Sequence, residues 1–411
     1  MHGTRSLKTH RDKAKAASAK AAALGEDIDL DTYVSSAEEH PYQADPSQMP
    51  ADAKERMLTV GVSLDDTRQR SGTFIQVDNT PVHSSSRQKS IEVMTTSQAL
   101  EKYDWLPDYW WQAVAVDSDK YTAHVELGQG NGYFIRALPG QRATQPVQAC
   151  IYLSRSRLAQ NVHNIIIAEE GSELHIITGC ATASAEEPGL HLGVSEFYVK
   201  RGAKITFTMI HNWNPAIAVR PRTGAIIDQD GLFLSNYVIM RPVRSLQTNP
   251  SAKCVGENAT VRFNSVLVAM PNSVMDVGST VFLNAKGART EIISRAITVG
   301  GTITARGKIE GNAPEVKGHL ECRGLILQEK GVIHAIPELK GTRAGVDLSH
   351  EAAVGKIAEE EVEYLMARGL TRAEATATIV RGFLRVEIEG LPPMLSAQLQ
   401  RAIGASDRDL M

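Results

Sequence analysis

Cysteine is scarce in this chain and widely dispersed. The 411 residues hold four, Cys150, Cys180, Cys254 and Cys322, with none of the short spacings that staple a disulfide-rich module or close a zinc site. Such thiols suit a reducing compartment. No stretch approaches the ~18 consecutive apolar residues of a membrane span. The opening Met1-His-Gly-Thr-Arg-Ser-Leu-Lys lacks the apolar segment of a secretory signal, so the expected location is cytoplasmic. A surplus of one charge sign is missing too. The 44 basic and 47 acidic residues leave a formal charge of −3, which gives no reason to expect nucleic acid or an anionic membrane as partner. Nucleotide-binding motifs are also lacking. Gly301 and Gly307-Lys308 miss both the spacing and the Ser/Thr of a phosphate-binding loop, and Gly128-Gln-Gly130-Asn-Gly132 reads as a loop between strands. Any ATP hydrolysis then belongs to a partner.

What the chain does have is length and short-period patterning. It exceeds the usual size of one core, so two or three domains or one elongated repeat structure are expected. Residues 7 to 24, with Lys8, Arg11, Lys13, Lys15 and Lys20, read as a basic solvated helix closed by Gly25, and an acidic stretch follows. Met57 to Val82 suggests a hairpin or small sheet. Residues 96 to 116 carry three of the four tryptophans, Trp105, Trp110 and Trp111, and are expected to pack as a helical lid on the core. Beyond Tyr121 the chain becomes a succession of short β-branched runs. Lys204-Ile-Thr-Phe-Thr-Met209 alternates with period two, and glycines such as Gly278, Gly287, Gly300, Gly311 and Gly324 divide the remainder into strand-length pieces. A region of roughly 200 residues built this way is a sandwich, a barrel or a β-solenoid, and periodicity does not choose among them.

After Ser349 the texture turns helical. Glu359 to Arg368 forms a short amphipathic helix, and Thr371 with Glu374 makes a capping box that opens a second. Ile379, Val380, Phe383 and Leu384 form the apolar face of that helix, which should stop near Gly390 before Pro392-Pro393. A last helix is expected from about Met394 to Ile403.

The stretch from Cys322 to Lys356 places a thiol, an imidazole and a carboxylate within one span, as Cys322, His350 and Glu351. Thiolate and imidazole hold soft and borderline metals, and a carboxylate can fill a labile position. Spacing alone does not define a site, because one Cys and one His 28 positions apart (350 minus 322) match no ligand motif, and a lone Cys is ordinarily a small buried hydrophobe.

The run Ser349-His350-Glu351-Ala352-Ala353, Lys356-Ile357 and Arg368-Gly369 resembles the C-terminal signature of the SufB/SufD family of iron–sulfur cluster assembly scaffolds. Upstream, Ala168-Glu-Glu-Gly-Ser-Glu-Leu-His-Ile-Ile-Thr-Gly179-Cys180, Leu190-His191, His211-Asn212-Trp213 and Tyr103-Asp104-Trp105-Leu106 resemble that family's earlier motifs, so the similarity covers about residues 90 to 405. The resemblance implies a mainly β fold with a right-handed parallel β-helix core, a helical N-terminal region and a C-terminal helical domain. The expected boundaries are 1–115, 116–345 and 346–411. It also implies a scaffold rather than an enzyme, working with a SufC-type ABC ATPase that docks on the C-terminal helix pair through Ile357, Val362, Leu365, Ile379, Phe383 and Leu384.

By the same resemblance, Cys180 is the sulfur acceptor, and Cys322, His350 and Glu351 hold a transient iron–sulfur cluster, [4Fe-4S] in type. Ser349-His350 is of the SufD kind and Glu351 of the SufB kind, so one polypeptide carries both ligand sets and a homodimer can supply what the heterodimer supplies. A sulfur donor and apo-protein recipients complete the expected partners. The sequence gives no support for a flavin. His191 and His211 read as core or surface histidines, and Cys150 and Cys254 match no functional position. The competing readings are a parallel β-helix enzyme acting on polysaccharide, which would need paired carboxylates or a basic residue in an open groove, and a sugar-binding solenoid.

Overall fold

The computed structural model describes residues 2–36, 38–65, 70–128, 131–183 and 187–384. Its centre is a parallel β-solenoid in which ten strands form one sheet and twelve the facing sheet. The length of a coil shows in side-chain ladders between stacked strands. Asn236 donates to Thr208, 28 residues back, and Asn164 donates to Ser195, 31 residues ahead. These unequal coils hide the repeat from a search for a fixed period.

Alternation explains why each strand sits as it does. In Thr302–Gly311 the burial alternates residue by residue, with Ile303, Ala305 and Ile309 entering the solenoid core and the charged residues between them outside. The first sheet stacks Glu173–Thr182, Lys204–Asn212, Leu232–Ile239, Thr260–Ala269, Arg289–Thr298, Lys317–Ile326 and Asp347–Gly355 in unbroken parallel register. In the second sheet three coils are split into strand pairs, Ile217–Val219 with Arg222–Ile227, Ser245–Thr248 with Ser251–Cys254, and Val274–Val277 with Thr280–Leu283. Two of these breaks fall at Pro221 and Pro250, where the missing N–H interrupts the ladder.

The N-terminal end of the solenoid is closed. The strand Gly72–Val77 pairs antiparallel with Thr80–Ser86, and Ile91–Thr95 pairs antiparallel with Tyr133–Ala137 at the edge of the second sheet. Gln43 N–H then takes the Val82 carbonyl, covering that rim. The tryptophan-rich segment is the expected lid, packed on the outer face of the second sheet. Its anchor is the fully buried Glu196, whose carboxylate accepts the backbone N–H groups of Trp111, Ala113 and Val114 at 2.7 to 3.0 Å and meets His163 Nε2 at 2.9 Å.

Several elements differ from the sequence reading. The first helix spans His2–Ala17 and ends well short of residue 24. Met57 belongs to the helix Ala51–Thr59, whose buried Ala53 and Met57 lie one turn apart, so the hairpin begins only at Gly72. Lys120–Leu127 is helical rather than extended, because Asp119 and Thr122 form a capping box that outweighs the β-branched residues inside it. The solenoid also runs past residue 345, since Asp347–Gly355 pairs in register with Lys317–Leu325.

The expected C-terminal helices are Glu359–Met366 and Arg372–Leu384. The Thr371–Glu374 capping box is formed, with Thr371 N–H donating to Glu374 at 2.8 Å and Glu374 N–H to Thr371 Oγ1 at 3.3 Å. The stop near Gly390 and the helix from Met394 lie outside the described residues.

Candidate functional site

Cys322 faces the solenoid interior from the strand Lys317–Ile326. It is 4% exposed and belongs to the same core as Leu320. Its register neighbours are Ser294 on one side and Ala352 on the other. Burial pushes the thiol above its ordinary range, and the Arg295 charge and a hydrogen bond from Ser294 partly oppose that shift. Ser294 is in turn bonded to Ser265 Oγ at 3.0 Å, one coil earlier.

His350 is aligned with Leu320 and therefore shares the face of Cys322, but it is exposed because no further coil among the described residues covers Asp347–Gly355. Glu351 is aligned with Glu321, so period-two alternation puts it on the outer face. There it ends a surface ion network. Arg295 meets Glu321 at 2.9 Å, Arg323 Nε meets Glu321 at 2.6 Å, and Arg323 Nη2 meets Glu351 at 3.0 Å. Among the described residues no three His, Cys, Asp or Glu side chains converge as a metal site, so one copy alone does not bring the three candidate ligands together.

Cys180 lies on the same sheet, five strands before Cys322, and is fully buried on the inner face. The glycine before it has a steric reason: a Cβ at Gly179 would collide with Val60, which follows the helix Ala51–Thr59 on the outer face. Cys180 is in register with Ile151 and His211. His211 Nδ1 and the Tyr237 hydroxyl are 2.9 Å apart, and Tyr237 is in register with Ser265. Burial holds the Cys180 thiol well above its usual range and lowers both His211 and His191, the latter to about 3. His191 Nδ1 is bonded to Gln160 Oε1 at 2.8 Å, as expected of a satisfied core histidine.

Polar side chains therefore line the interior between the two cysteines. A cavity of about 10 Å³ beside Cys180 and one of about 40 Å³ bounded by Ser235, Tyr237 and Ser265 share Met209, Pro221 and Thr223 as walls. Sequence reading missed Tyr237, Ser265 and Ser294. Each is a polar residue at an inward position one coil from the next, a signal readable only once the coil length is known. Cys150 and Cys254 are buried thiols packed in apolar cores, and burial pushes Cys254 up to about 12.

The residues expected to bind the ATPase are largely engaged within the chain. Val362 is buried, and Leu365 and Ile379 are half-buried. Val380, with Ile357 and Phe383 beside it, packs on the outer face of the first sheet against Val238, Met240, Val266 and Val268. The side chain of Leu384 lies outside what is described. Among the described residues, the large apolar side chains of the helix pair that are exposed are Tyr364, at 58%, and Met366, at 40%.

A parallel β-solenoid with inward-facing cysteines joined by a polar interior, and a helix pair against one sheet, defines a class of scaffold. The chain belongs to the SufB/SufD family: residues 151–383 match the SUF system FeS cluster assembly, SufBD core domain. It is similar to an iron–sulfur cluster assembly SufBD family protein of Methanothermobacter thermautotrophicus, with 50% identity over 400 residues, 96% of this chain and 97% of the relative. A protein of the same description from Archaeoglobus fulgidus is 52% identical over 358 residues, 87% of this chain and 96% of the relative. The iron–sulfur cluster assembly protein SufB of Bacillus subtilis is 26% identical over 371 residues, 87% of this chain and 78% of the relative.

Proposed function

We propose that the chain is a scaffold for de novo assembly of iron–sulfur clusters. It works as a homodimer with a SufC-type ABC ATPase that performs the ATP hydrolysis. Sulfur is accepted at Cys180, and the cluster, of the [4Fe-4S] type, is built on Cys322 with His350 and Glu351 as exchangeable partners. It is cargo, received from iron and sulfur donors and passed to apo-proteins. No helix among the described residues is long and apolar enough to cross a membrane.

The observation that carries this reading is the shared inner face. Cys180 and Cys322 face the interior of one sheet, and Tyr237, Ser265 and Ser294 occupy successive coils between them. These inward polar groups are kept by hydrogen bonds, Ser265 to Ser294 and Tyr237 with His211, and a sulfur species moving between the two thiols would meet them on its way. A mixture of soft, borderline and hard ligands favours release, where four thiolates would hold a cluster more permanently.

The test is anaerobic reconstitution with iron and sulfide in the presence of the ATPase, with metal and sulfide analysis of the complex. Cys322→Ser is expected to lose most of the bound iron and sulfide, because thiolate binds iron most firmly of the three ligand types. A full cluster in that variant would refute the assignment.

A further inference from the structure

His211 stands where a base for Cys180 would stand. The two residues are in register on adjacent strands of the same inward face, and adjacent strands lie about 4.8 Å apart. The imidazole is oriented from its other side, since Nδ1 and the Tyr237 hydroxyl are 2.9 Å apart. His211 is 2% exposed, and its Nε2 has no hydrogen-bond partner among the described residues. A buried ring nitrogen left without a partner is destabilising, so its retention calls for a use.

We propose that His211 is the general base that activates Cys180 as a sulfur acceptor, with Tyr237 as the positioning residue, and that the substrate is a small sulfane donor such as a hydropolysulfide. The proposal rests on the reading of Cys180 as acceptor and adds the residue that makes it reactive. The arrangement follows the general pattern of a nucleophile, a base and a group that orients the base. With hydrogen on Nδ1 donating to the Tyr237 oxygen, Nε2 presents its lone pair. The cavity beside Cys180, about 10 Å³, has room for roughly one water-sized group, which favours a donor whose reacting end is a bare sulfur.

In the step, Nε2 takes the proton from Cys180 Sγ as Sγ attacks the terminal sulfur of the donor. The S–S bond of the donor breaks, and its electron pair leaves on the inner sulfur, which recovers the proton from Nε2. The products are a Cys180 persulfide and the donor shortened by one sulfur. Sulfane sulfur is transferred at an unchanged oxidation level, so no oxidant is required.

The groups facing His211 are Cys180 from the preceding strand, Tyr237 from the following strand, Trp213 just beyond its own strand and His191 from the opposite sheet. Burial keeps His211 and His191 neutral near neutrality and keeps the Cys180 and Tyr237 protons in place. A neutral base then works at constant strength there, whereas a variant without it depends on the scarce free thiolate.

The experiment incubates the full chain anaerobically with inorganic polysulfide between about pH 6 and 8 and follows the gain of one sulfur on the Cys180 peptide by mass spectrometry. His211→Gln is expected to slow the gain by roughly 10²–10⁴-fold near neutrality, the usual range for a lost general base. The ratio of wild-type to variant rates, which cancels the titration of the donor, should fall about tenfold per pH unit as thiolate becomes available. Tyr237→Phe keeps the base but frees its orientation, so it should be slower by a constant factor across that range. Equal rates in wild type and His211→Gln, or a ratio that ignores pH, overturns the proposal. If His211→Gln does not fold, an undiminished rate in Tyr237→Phe overturns it. Wild-type protein that takes no sulfur on Cys180 refutes the acceptor reading itself and this proposal with it, whereas Cys322 iron binding is tested separately.

Discussion

Arg323 holds Glu351 at 3.0 Å on the outer surface of the sheet whose inner face carries Cys322. Cys322 and Glu351 thus point to opposite sides of the same layer, so within one copy the sheet itself separates the thiol from the carboxylate.

That geometry predicts how dimerisation and Glu351 are coupled. The Asp347 N–H donates back to Val316, so in the last strand the alternate positions Leu348, His350, Ala352 and Val354 turn their backbone groups to the open edge. In the facing sheet Val332 and Thr342 donate back to Gly301 and Gly311, which leaves the position of Pro337 on the open side, where proline offers no donor. A two-fold partner should therefore pair antiparallel along Asp347–Gly355. Ala352→Pro removes one edge donor and should weaken the dimer by roughly tenfold, read by analytical ultracentrifugation. Glu351→Gln should speed cluster loss in the dimer and change nothing further in the Ala352→Pro background. A dimer unaffected by Ala352→Pro would place the contact elsewhere.

The C-terminal helices give a second prediction. Val380 is 2% exposed against the outer face of the first sheet. Val380→Asp should release the helix pair and lower stability by about 3 kcal/mol through an unpaired buried charge, measured by urea unfolding and by protease sensitivity after Gly355. Tyr364→Ala with Met366→Ala should leave stability within about 0.5 kcal/mol and weaken ATPase binding in a pull-down or by calorimetry. The reverse pattern would make Val380 the docking residue and Tyr364 a bystander.

Acid sensitivity follows from His191, whose folded value is lowered from 6.5 to about 3 by burial. Between those values the unfolded chain binds the proton that the folded chain refuses, so stability is fully present above about pH 6.5 and falls as pH drops toward 3. The expected slope from this residue is on the order of 1.4 kcal/mol per pH unit. Urea unfolding at several pH values from about 5 to 7 should show it, and His191→Gln should flatten the curve by a comparable amount. His211, lowered in the same direction, adds to the slope. An unchanged slope in His191→Gln would show that the ring is charged in the folded chain.

The strands were legible in the sequence because alternation such as Lys204 to Met209 is local. Their stacking was not, since from coil to coil the partner lies 27 to 31 residues away and the interval varies. Capping chemistry was readable at Thr371 and Glu374 but was overlooked at Asp119 and Thr122 among β-branched neighbours. The opposite faces of His350 and Glu351 follow from simple alternation, which becomes visible only once Asp347–Gly355 is known to be a strand. Phe383 was recognised as part of an apolar face, but periodicity cannot say whether such a face meets its own sheet or another protein.

The closed N-terminal rim has a further meaning for assembly. A solenoid open at both ends could add copies without limit, each new edge templating the next into a fibre. Here antiparallel strands and the Gln43 contact cover one end, so among the described residues the uncovered parallel edges lie at the other. Two copies meeting at those ends would cover both edges, so such a contact closes on itself instead of continuing into a fibre.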